Sequence, residues 1–387
     1  MGLRLRILTF HHIPNNGSFI FSHALVDQLK SSFPACDIKI IDYKTKRLAV
    51  YDYLKRFKVF PKDPLFYYKR YQLWNTLLKD QLDLDKSFPQ FSSGKKMLRY
   101  YASNSDALLV GMDVWCIIKG TSRPYFPNIY WLPEITKIPK LAYGVSAYQS
   151  NKSLIAAYNK EITAYLNEFE VIGTRDRFTH ELVLKHRTRT SGLVDRIPDP
   201  ALLFEIPKTG IAKIVESMGV DLKRPLLGLL LFKNDQLSRE ICSRFRAKGF
   251  QIVALSMYNQ FADINLGYAL DPFQWAEFFG LLSFCITDRF HGTVFCIKNR
   301  IPFISLDNEK ITRDQSKIYD LLSDFNLTSC YSHLYEEGSS TSQILSRIGE
   351  IERDWEKNLK KSIGPTLARM GVQNKEFSEK MRITLGW

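Results

Sequence analysis

Short apolar runs alternate with amphipathic stretches along most of the chain. Residues 5–10 are mostly apolar, which predicts a strand, and residues 18–31 place Phe21, Leu25 and Leu29 on one face of a predicted helix. The same alternation predicts further strands over residues 37–43, 108–111, 141–145 and 171–173 and a helix over 154–169. This β-α-β rhythm is typical of a mostly parallel, doubly wound sheet.

The pattern breaks at Ile197-Pro198-Asp199-Pro200, because these prolines prevent a continuous helix. A second series follows, with strands predicted over residues 226–232, 251–256, 284–287 and 302–306 and helices over 237–248, 273–282 and 293–298. The predicted fold class is therefore α/β, with two Rossmann-like domains that face each other across a cleft. We place the domains at residues 1–196 and 197–340, and a helical tail that packs back across them at 341–387.

A basic, aromatic and helical insertion is predicted at about residues 44–100 of the first domain. Its densest part mixes cationic and aromatic side chains: Tyr51, Tyr53, Lys55, Arg56, Phe57, Lys58, Phe60, Phe66, Tyr67, Tyr68, Lys69, Arg70, Tyr71 and Trp74. Such mixtures suit contact with an anionic membrane surface or stacking on sugars or bases. The aromatic rings can equally pack the insertion onto the sheet while the basic side chains remain solvated.

The net charge of +14, from 54 Lys and Arg against 40 Asp and Glu, favours anionic partners without choosing among polyanions, acidic membranes and small anions. The six cysteines are scattered and form no C-x-x-C pair, which is typical of reduced thiols in a cytoplasmic protein. The charged opening segment is too short for a signal peptide, and no apolar run approaches the length of a membrane span. We therefore predict a cytoplasmic protein.

Several common chemistries lack their motifs. The sequence contains no P-loop lysine motif, no G-x-G-x-x-G after the first strand, and no G-x-S-x-G nucleophile elbow. The ligands for a zinc site cannot be assembled from the sequence, so no metal is predicted.

The most informative segment is Thr287-Asp288-Arg289-Phe290-His291-Gly292-Thr293. It joins a predicted buried strand to a predicted helix, at the sheet edge where α/β proteins bind ligands. A helix N-terminus favours an anion, a guanidinium can bind a carboxylate or phosphate with two hydrogen bonds, and an imidazole can transfer a proton near neutral pH. A lone histidine is more often structural, but Arg289 and Gly292 beside it favour a site that joins an acid/base group to an anion clamp.

Three other clusters lie at predicted strand ends. In the first, Asn16 and Gly17 precede Ser18, which can cap the helix; a plain turn with a cap explains this segment equally well. In the second, Asp113 can accept hydrogen bonds from sugar hydroxyls and Trp115 can stack on a sugar, or Trp115 is a buried core residue beside a capping aspartate. In the third, Arg175 points at the predicted cleft between the domains or forms a surface ion pair with its neighbour Asp176.

Together, these motifs resemble the polysaccharide pyruvyltransferase family, whose architecture is GT-B-like. The resemblance extends from about Ile7 to Leu327 and depends on the order and spacing of several short elements: the Asn-x-Gly turn at Asn15, Asp42-Tyr43, Gly111 to Trp115, Tyr143 to Ser146, Arg175-Asp176, Asp199-Pro200, Arg289 to Gly292, Ile301-Pro302 and Lys317. Three elements depart from the family pattern: one residue is missing between Asp113 and Trp115, Ala147-Tyr148 stands where Phe-Gly is usual, and the bulky Phe19 and Ile20 follow the first Gly-Ser.

The resemblance implies phosphoenolpyruvate as the donor. By resemblance, Arg175 and Arg289 hold its phosphate and carboxylate, and His291 is the proton-transfer residue. The donor site implied in this way comprises Arg175, Arg289, Gly292, Thr293 and Lys317, and the acceptor site comprises Asn16, Gly17, Ser18, Asp113, Trp115 and Ser146. No cofactor or metal is required in this scheme.

The function implied is transfer of a pyruvyl group to a saccharide, free or lipid-linked, as a ketal during capsule or exopolysaccharide assembly. With a lipid-linked acceptor, the basic aromatic insertion would hold the enzyme peripherally at the inner face of the cell membrane. Nucleic acid is not an expected partner. Two alternatives remain open: a GT-B glycosyltransferase with a nucleotide-sugar donor, and a non-catalytic protein that binds acidic glycans or other polyanions.

Overall fold

A computed structural model of the chain describes residues 2–44, 50, 72–77, 80–118, 126–133, 135–231, 236–267, 269–336 and 339–387. The chain divides into two compact units: unit 1 comprises Met1–Leu203 with Met370–Trp387, and unit 2 comprises Phe204–Arg369. The insertion residues from Tyr51 to Tyr71 lie outside the described residues. Trp74 is described, and its buried indole packs edge-on against Phe19 at 5.5 Å between ring centroids.

Unit 1 is built on a parallel sheet of seven strands in the order β3-β2-β1-β4-β5-β6-β7. Its strands are β1 (Arg4–Leu8), β2 (Asp37–Ile41), β3 (Leu84–Asp85), β4 (Ala107–Met112), β5 (Lys140–Val145), β6 (Phe169–Thr174) and β7 (Leu193–Arg196). Every residue of β4 and β5 is buried. Their sequences are near-continuous apolar runs because helices cover both faces of a parallel sheet.

The described helices of unit 1 include α1 (Asn16–Ser32), α2 (Gly94–Asn104), α3 (Lys152–Ala157), α4 (Asn159–Asn167), α5 (Arg177–His186) and α6 (Pro200–Leu203), and residues 72–77 are also helical. The single helix predicted over residues 154–169 is wrong. Two helices occupy this stretch, with Tyr158 between them, and β6 already begins at Phe169. The helical spacing of apolar residues continues across Tyr158, so the sequence pattern does not show where one helix ends and the next begins.

Unit 2 is built on a parallel sheet of six strands in the order β10-β9-β8-β11-β12-β13. Its strands are β8 (Leu226–Leu230), β9 (Gln251–Ala254), β10 (Ile264–Asn265), β11 (Phe284–Thr287), β12 (Phe303–Asp307) and β13 (Tyr331–His333). Its described helices include α7 (Ile211–Glu216), α8 (Gln236–Ala247), α9 (Pro272–Phe278), α10 (Phe290–Asn299), α11 (Lys317–Asp324) and α12 (Thr341–Asp354). The prediction of an α/β chain with two Rossmann-like parallel sheets is confirmed.

The strand order of each sheet reverses direction at one point. In unit 1 this switch lies between β1 and β4, and in unit 2 it lies between β8 and β11. Ligands of doubly wound sheets bind outside the carboxyl ends of the strands at such a point. The residues that follow β1, β4 and β11 are therefore the first places to look for a site.

The C-terminal region is helical, as expected. After α12, helix α13 (Ile363–Leu385) begins among residues of unit 2 and ends among residues of unit 1. In unit 1 the buried hydroxyl of Tyr143 donates to Asn374 Oδ1 at 2.6 Å, and Phe377 packs on the ring of Tyr143. None of the described helices combines the length and the apolar character that crossing a bilayer requires.

Candidate functional site

The turn from β11 into α10 in unit 2 contains the predicted acid/base segment. Thr287 ends the strand, and its hydroxyl oxygen accepts a hydrogen bond from the backbone N–H of Arg289 at 3.0 Å. Arg289 is the N-cap residue of α10, and its own side chain makes no capping hydrogen bond. The positive end of this helix therefore lies at the carboxyl edge of β11, where it favours a bound anion.

Gly292 and Thr293 attach this helix start to the sheet. A Cβ at Gly292 would lie 2.2 Å from Thr287 Oγ1 and 3.0 Å from Thr287 Cβ, so only glycine fits. Thr293 is buried, and its hydroxyl contacts Ser305 Oγ at 2.7 Å on β12. Both residues therefore have clear packing roles, and the donor contact implied for them by resemblance stays a prediction.

Gly292→Ala is expected to lower the free energy of unfolding by about 1–3 kcal/mol, the usual range for overpacking a core position. The new methyl group must displace Thr287, which holds the Arg289 turn, so donor binding should weaken as well. Urea denaturation and calorimetric titration with phosphoenolpyruvate, the donor that the family resemblance implies, would measure the two effects. Gly371→Ala is the control, because a Cβ there meets nothing within 4 Å. Equal free energies of unfolding for the two variants would contradict the packing role of Gly292.

Arg289 is oriented by its neighbour. Its Nε lies 3.1 Å from Asp288 Oδ1, and the other oxygen of this buried carboxylate accepts from Asn308 Nδ2 at 2.9 Å. The Arg289 side chain remains 37% exposed. A guanidinium fixed at one edge and partly exposed can present its remaining N–H groups to a planar anion.

Lys317 joins the same cluster from the start of α11. Its Nζ lies 5.0 Å from the centre of the Phe290 ring, and the ring of His291 also contacts Phe290, with 5.3 Å between ring centroids. Ser316 caps α11 by accepting from the backbone N–H of Tyr319, and its hydroxyl donates to Asp307 Oδ2. The structure therefore brings Arg289, His291 and Lys317 to one edge of the unit 2 sheet.

In unit 1, Arg175 follows β6 and is completely buried. Its guanidinium donates one hydrogen bond to Asp113, which follows β4, and another to Asp199, at the start of α6. Burial alone would lower the pKa of Arg175, but the carboxylates of Asp113 and Asp199 outweigh it and raise that pKa, so the guanidinium stays charged. Asp176 is the N-cap of α5 and accepts from the Thr179 backbone, and both Arg175 and Asp176 are buried, so the alternative of an ion pair on the surface is wrong.

Asp113 is the only member of this trio with appreciable exposure, 18% against 0% for Arg175 and 2% for Asp199. It follows Met112, a non-glycine residue with φ of +79°. Such a backbone conformation costs on the order of 1–3 kcal/mol and persists only where neighbours enforce it. The Met112 carbonyl accepts from Val114 N at 2.8 Å and from Ser146 N at 3.0 Å, and these two contacts hold the turn that directs Asp113.

Trp115 and Ser146 do not lie on an open surface. The Trp115 ring is fully buried, stacks on Trp131 at 4.9 Å, and donates its N–H to the Tyr130 carbonyl. The prediction that Trp115 stacks on a sugar is therefore wrong, and the alternative of a core residue holds. The ring is covered on its face by Trp131, and its N–H already has an acceptor. Ser146 is also buried, and its Oγ accepts from Tyr148 N at 3.4 Å.

The turn after β1 differs from the prediction in one respect. The cap of α1 is Asn15, whose Oδ1 accepts from the backbone N–H of Ser18 at 3.2 Å, so Ser18 is in the first turn and is not the cap. Asn16 and Gly17 are buried at this helix start, on the edge that also carries Asp113.

Sequence reasoning missed two features of this edge. The sequence places Asp199 only in a linker and a family motif, although an aspartate before Pro-Ala-Leu is also a helix-start signal. His11 lies 3.3 Å from Asp42 Oδ1, and neither ring nitrogen of the adjacent His12 has a hydrogen-bond partner among the described residues. Burial lowers the pKa of His12 well below its ordinary value, and the charges of His11 and Lys44 act in the same direction.

The structural neighbours share the GT-B-type fold. A putative UDP-N-acetylglucosamine 2-epimerase from Listeria monocytogenes has a TM-score of 0.54 at 11% identity, covering 98% of this chain and 91% of that one. The UDP-GlcNAc 2-epimerase from Neisseria meningitidis has a TM-score of 0.53 at 10% identity, covering 96% and 98%. Anabaena HepE in complex with UDP has a TM-score of 0.53 at 8% identity, covering 99% and 100%. At these identities the likeness shows the fold alone, and it confirms the predicted GT-B-like architecture.

The sequence comparisons give a more specific result. None of the curated proteins is significantly similar to the chain. The family model of polysaccharide pyruvyl transferases matches residues 15–310, which include Asp113, Arg175, Arg289 and His291. This match covers well over half of the chain, and the chain therefore belongs to the polysaccharide pyruvyl transferase family.

Proposed function

We propose that this protein transfers the pyruvyl group of phosphoenolpyruvate to a saccharide and forms a pyruvate ketal during surface polysaccharide synthesis. The observation that carries the proposal is the grouping of Arg289, His291 and Lys317 at the N-terminus of α10. Membership of the family supports a transferase that acts on a saccharide.

Phosphoenolpyruvate suits this group by charge and shape. Its phosphate and carboxylate carry nearly three negative charges, and the cluster offers a partly exposed guanidinium, an ammonium and the positive ends of two helices. A guanidinium matches planar carboxylate or phosphate geometry with two parallel hydrogen bonds, whereas an ammonium acts as a point charge. We assign Arg289 and Lys317 to the donor's anionic groups.

His291 is the proton donor in this scheme. Ketal formation requires a proton on the methylene carbon of phosphoenolpyruvate, attack of hydroxyl oxygens on the adjacent carbon, and departure of phosphate. A positioned imidazole typically contributes about 10²–10⁴-fold to such a step. Cationic groups directed at the developing charge stabilise the same transition state.

The saccharide is assigned to the carboxyl edge of unit 1, where Asp113 and the start of α1 lie. Asp113 can accept hydrogen bonds from sugar hydroxyls, and Asn16 to Ser18 form the adjoining turn. Arg175 is implied as a donor ligand by family resemblance, but its guanidinium is already bound by two carboxylates, which favours a positioning role.

Arg289→Lys is expected to raise the dissociation constant for phosphoenolpyruvate and to lower turnover severely. An ammonium keeps the charge but loses the bidentate geometry, and hydrogen bonds to charged groups contribute about 1.5–3 kcal/mol each. Calorimetric titration with phosphoenolpyruvate and a phosphate-release assay would measure both effects. Unchanged phosphoenolpyruvate affinity and turnover in Arg289→Lys would contradict the assignment of Arg289 as a ligand of the donor.

The proposed function is tested by phosphate release from phosphoenolpyruvate with a panel of free and lipid-linked saccharides, with the acceptor's mass gain as the second readout. Pyruvyl transfer to one acceptor supports it. Tight binding of a nucleoside diphosphate without any binding of phosphoenolpyruvate would instead indicate a nucleotide-sugar transferase. Salt-sensitive polyanion binding that survives loss of His291 would indicate a non-catalytic binding protein.

A further inference from the structure

The end of strand β12 supports both of the cationic side chains that are assigned to the donor. β12 lies between β11 and β13 in the unit 2 sheet, and it ends at Asp307. The side chain of Asp307 contacts the start of α11, which carries Lys317. The side chain of the next residue, Asn308, contacts the segment after β11, which carries Arg289. Two consecutive residues therefore connect one strand end to both parts of the cluster.

The first connection runs from Asp307 through Ser316 to Lys317. Asp307 and Ser316 are both buried, and Asp307 Oδ2 accepts a hydrogen bond from the Ser316 hydroxyl. The same carboxylate accepts from the Tyr331 hydroxyl at 3.2 Å and from the backbone N–H of Glu309 at 3.1 Å. Ser316 is the N-cap of α11, and Lys317 is the first residue of that helix. A carboxylate that accepts from three donors has a fixed orientation, so it fixes the backbone from which the Lys317 side chain extends.

The second connection runs from Asn308 through Asp288 to Arg289. The side-chain amide of Asn308 donates to Asp288 Oδ2 at 2.9 Å, and Asp288 Oδ1 lies 3.1 Å from Arg289 Nε. The Asp288 side chain is only 3% exposed, and its backbone N–H donates to the Leu230 carbonyl at 3.0 Å. The backbone of Asp288 is therefore fixed by β8, and the amide of Asn308 fixes the direction of its carboxylate. That carboxylate in turn directs the guanidinium.

Strand β12 also holds the helix that begins after Arg289. The hydroxyls of Ser305 on β12 and Thr293 on α10 are 2.7 Å apart, and both residues are fully buried. Ser305 pairs with Thr287 in the parallel register of β12 and β11. Ligand-binding groups that are held by one rigid element keep their spacing, which lowers the cost of ordering them when a ligand binds. The end of β12 thus fixes where the donor-binding groups of unit 2 lie relative to one another.

We propose that Asp307 and Asn308 are positioning residues of the donor site, and that they direct Lys317 and Arg289 through two separate connections. The inference rests on the proposed function, in which these two cations hold the anionic groups of phosphoenolpyruvate. Asp307 and Asn308 have no contact with the donor in this scheme. Each acts through one cation, so a change in one connection should not depend on the state of the other.

The test is a pair of double-mutant cycles with Lys317→Met in the full-length chain. The readout is the dissociation constant of phosphoenolpyruvate, measured by calorimetric titration. Asn308→Ala alone should raise this constant about 10-fold, the lower end of what a hydrogen bond to a charged group contributes. In the Lys317→Met background the same change should raise it by the same factor, because Asn308 acts through Arg289.

The second cycle should give the opposite result. Asp307→Asn alone should also raise the dissociation constant about 10-fold. In the Lys317→Met background it should add little, because its effect on the donor passes through the side chain that is already lost. Ser316→Ala replaces Asp307→Asn if that variant does not fold, since it breaks the same connection by removing one oxygen atom.

The chain offers a matched control for Asn308→Ala. Asn299 lies at the opposite end of α10 and is half-buried like Asn308, and its amide donates to the Phe295 carbonyl at 2.9 Å. Asn299→Ala therefore removes a hydrogen bond of the same length far along the helix from the donor-binding end. Its dissociation constant for phosphoenolpyruvate should match that of the wild type.

Two outcomes overturn this inference alone. A dissociation constant in Asn308→Ala equal to that of Asn299→Ala would remove Asn308 from the donor site. Losses of Asp307→Asn or Ser316→Ala that multiply fully with Lys317→Met would indicate a general loss of packing and not an effect through Lys317. In both cases the wild type still binds the donor, so the proposed function stands. If the wild type binds no phosphoenolpyruvate, the proposed function itself fails, and this inference fails with it.

Discussion

His291→Ala is expected to lower phosphate release from phosphoenolpyruvate by about 10²–10⁴-fold, the usual contribution of a positioned acid or base. The side chain lies at the start of α10, it is half-buried, and its ring centroid lies 5.3 Å from that of Phe290. Its removal leaves the anion-binding groups in place, so binding of phosphoenolpyruvate should change little. Steady-state kinetics and calorimetry separate the two quantities.

A buried histidine elsewhere serves as the control. His186 is buried at the end of α5 in unit 1 and has no place in the proposed chemistry. His186→Ala can alter stability, but its turnover per folded molecule should match the wild type. A fully active His291→Ala variant would contradict the assignment of His291.

Arg175→Met is expected to lower the free energy of unfolding by about 3–5 kcal/mol, because removing one partner of a buried ion pair leaves uncompensated charge. Here the loss leaves Asp113 and Asp199 beside an apolar side chain, and the Asp199 carboxylate is buried as well. Chemical denaturation of the full chain would measure the change. Turnover should also fall, since Asp113 loses its positioning contact.

Arg289→Met gives the contrasting result. This side chain is 37% exposed and pairs with the neighbouring carboxylate of Asp288, so its removal should change the free energy of unfolding by no more than about 0.5–1 kcal/mol. Phosphoenolpyruvate binding should nevertheless be lost. Unchanged stability in Arg175→Met together with lost donor binding would mean that Arg175 is a donor ligand and not a positioning residue.

Much of the fold could be predicted because parallel strands covered on both faces appear as short continuous apolar runs. Strand β11 has the predicted bounds, residues 284–287, and the turn that follows it places Arg289 and His291 where predicted. Helix ends are harder to predict. Helix α10 begins three residues before the predicted start at 293, because its N-cap residue Arg289 supplies no capping side chain that would mark the start in the sequence.

The contacts between distant segments could not be predicted from one sequence. Arg175 binds Asp113 and Asp199, 62 and 24 residues away, and no local pattern indicates either contact. The same limit applies to Trp115, whose burial depends on Trp131 and Phe169 packing around it. The residue type of Trp115 alone does not distinguish a ring that stacks on a sugar from a ring that packs in the core.

The central claim, that His291 protonates the donor's methylene carbon during pyruvyl transfer, is tested most directly by running the reaction in deuterium oxide. The enzyme would be given phosphoenolpyruvate and the panel of free and lipid-linked saccharides, and the products analysed by mass spectrometry. We expect one acceptor to gain a pyruvyl ketal whose methyl group carries one deuterium, and His291→Ala to yield almost none of it. Phosphate release without a pyruvylated product, or a ketal without deuterium, would contradict the claim.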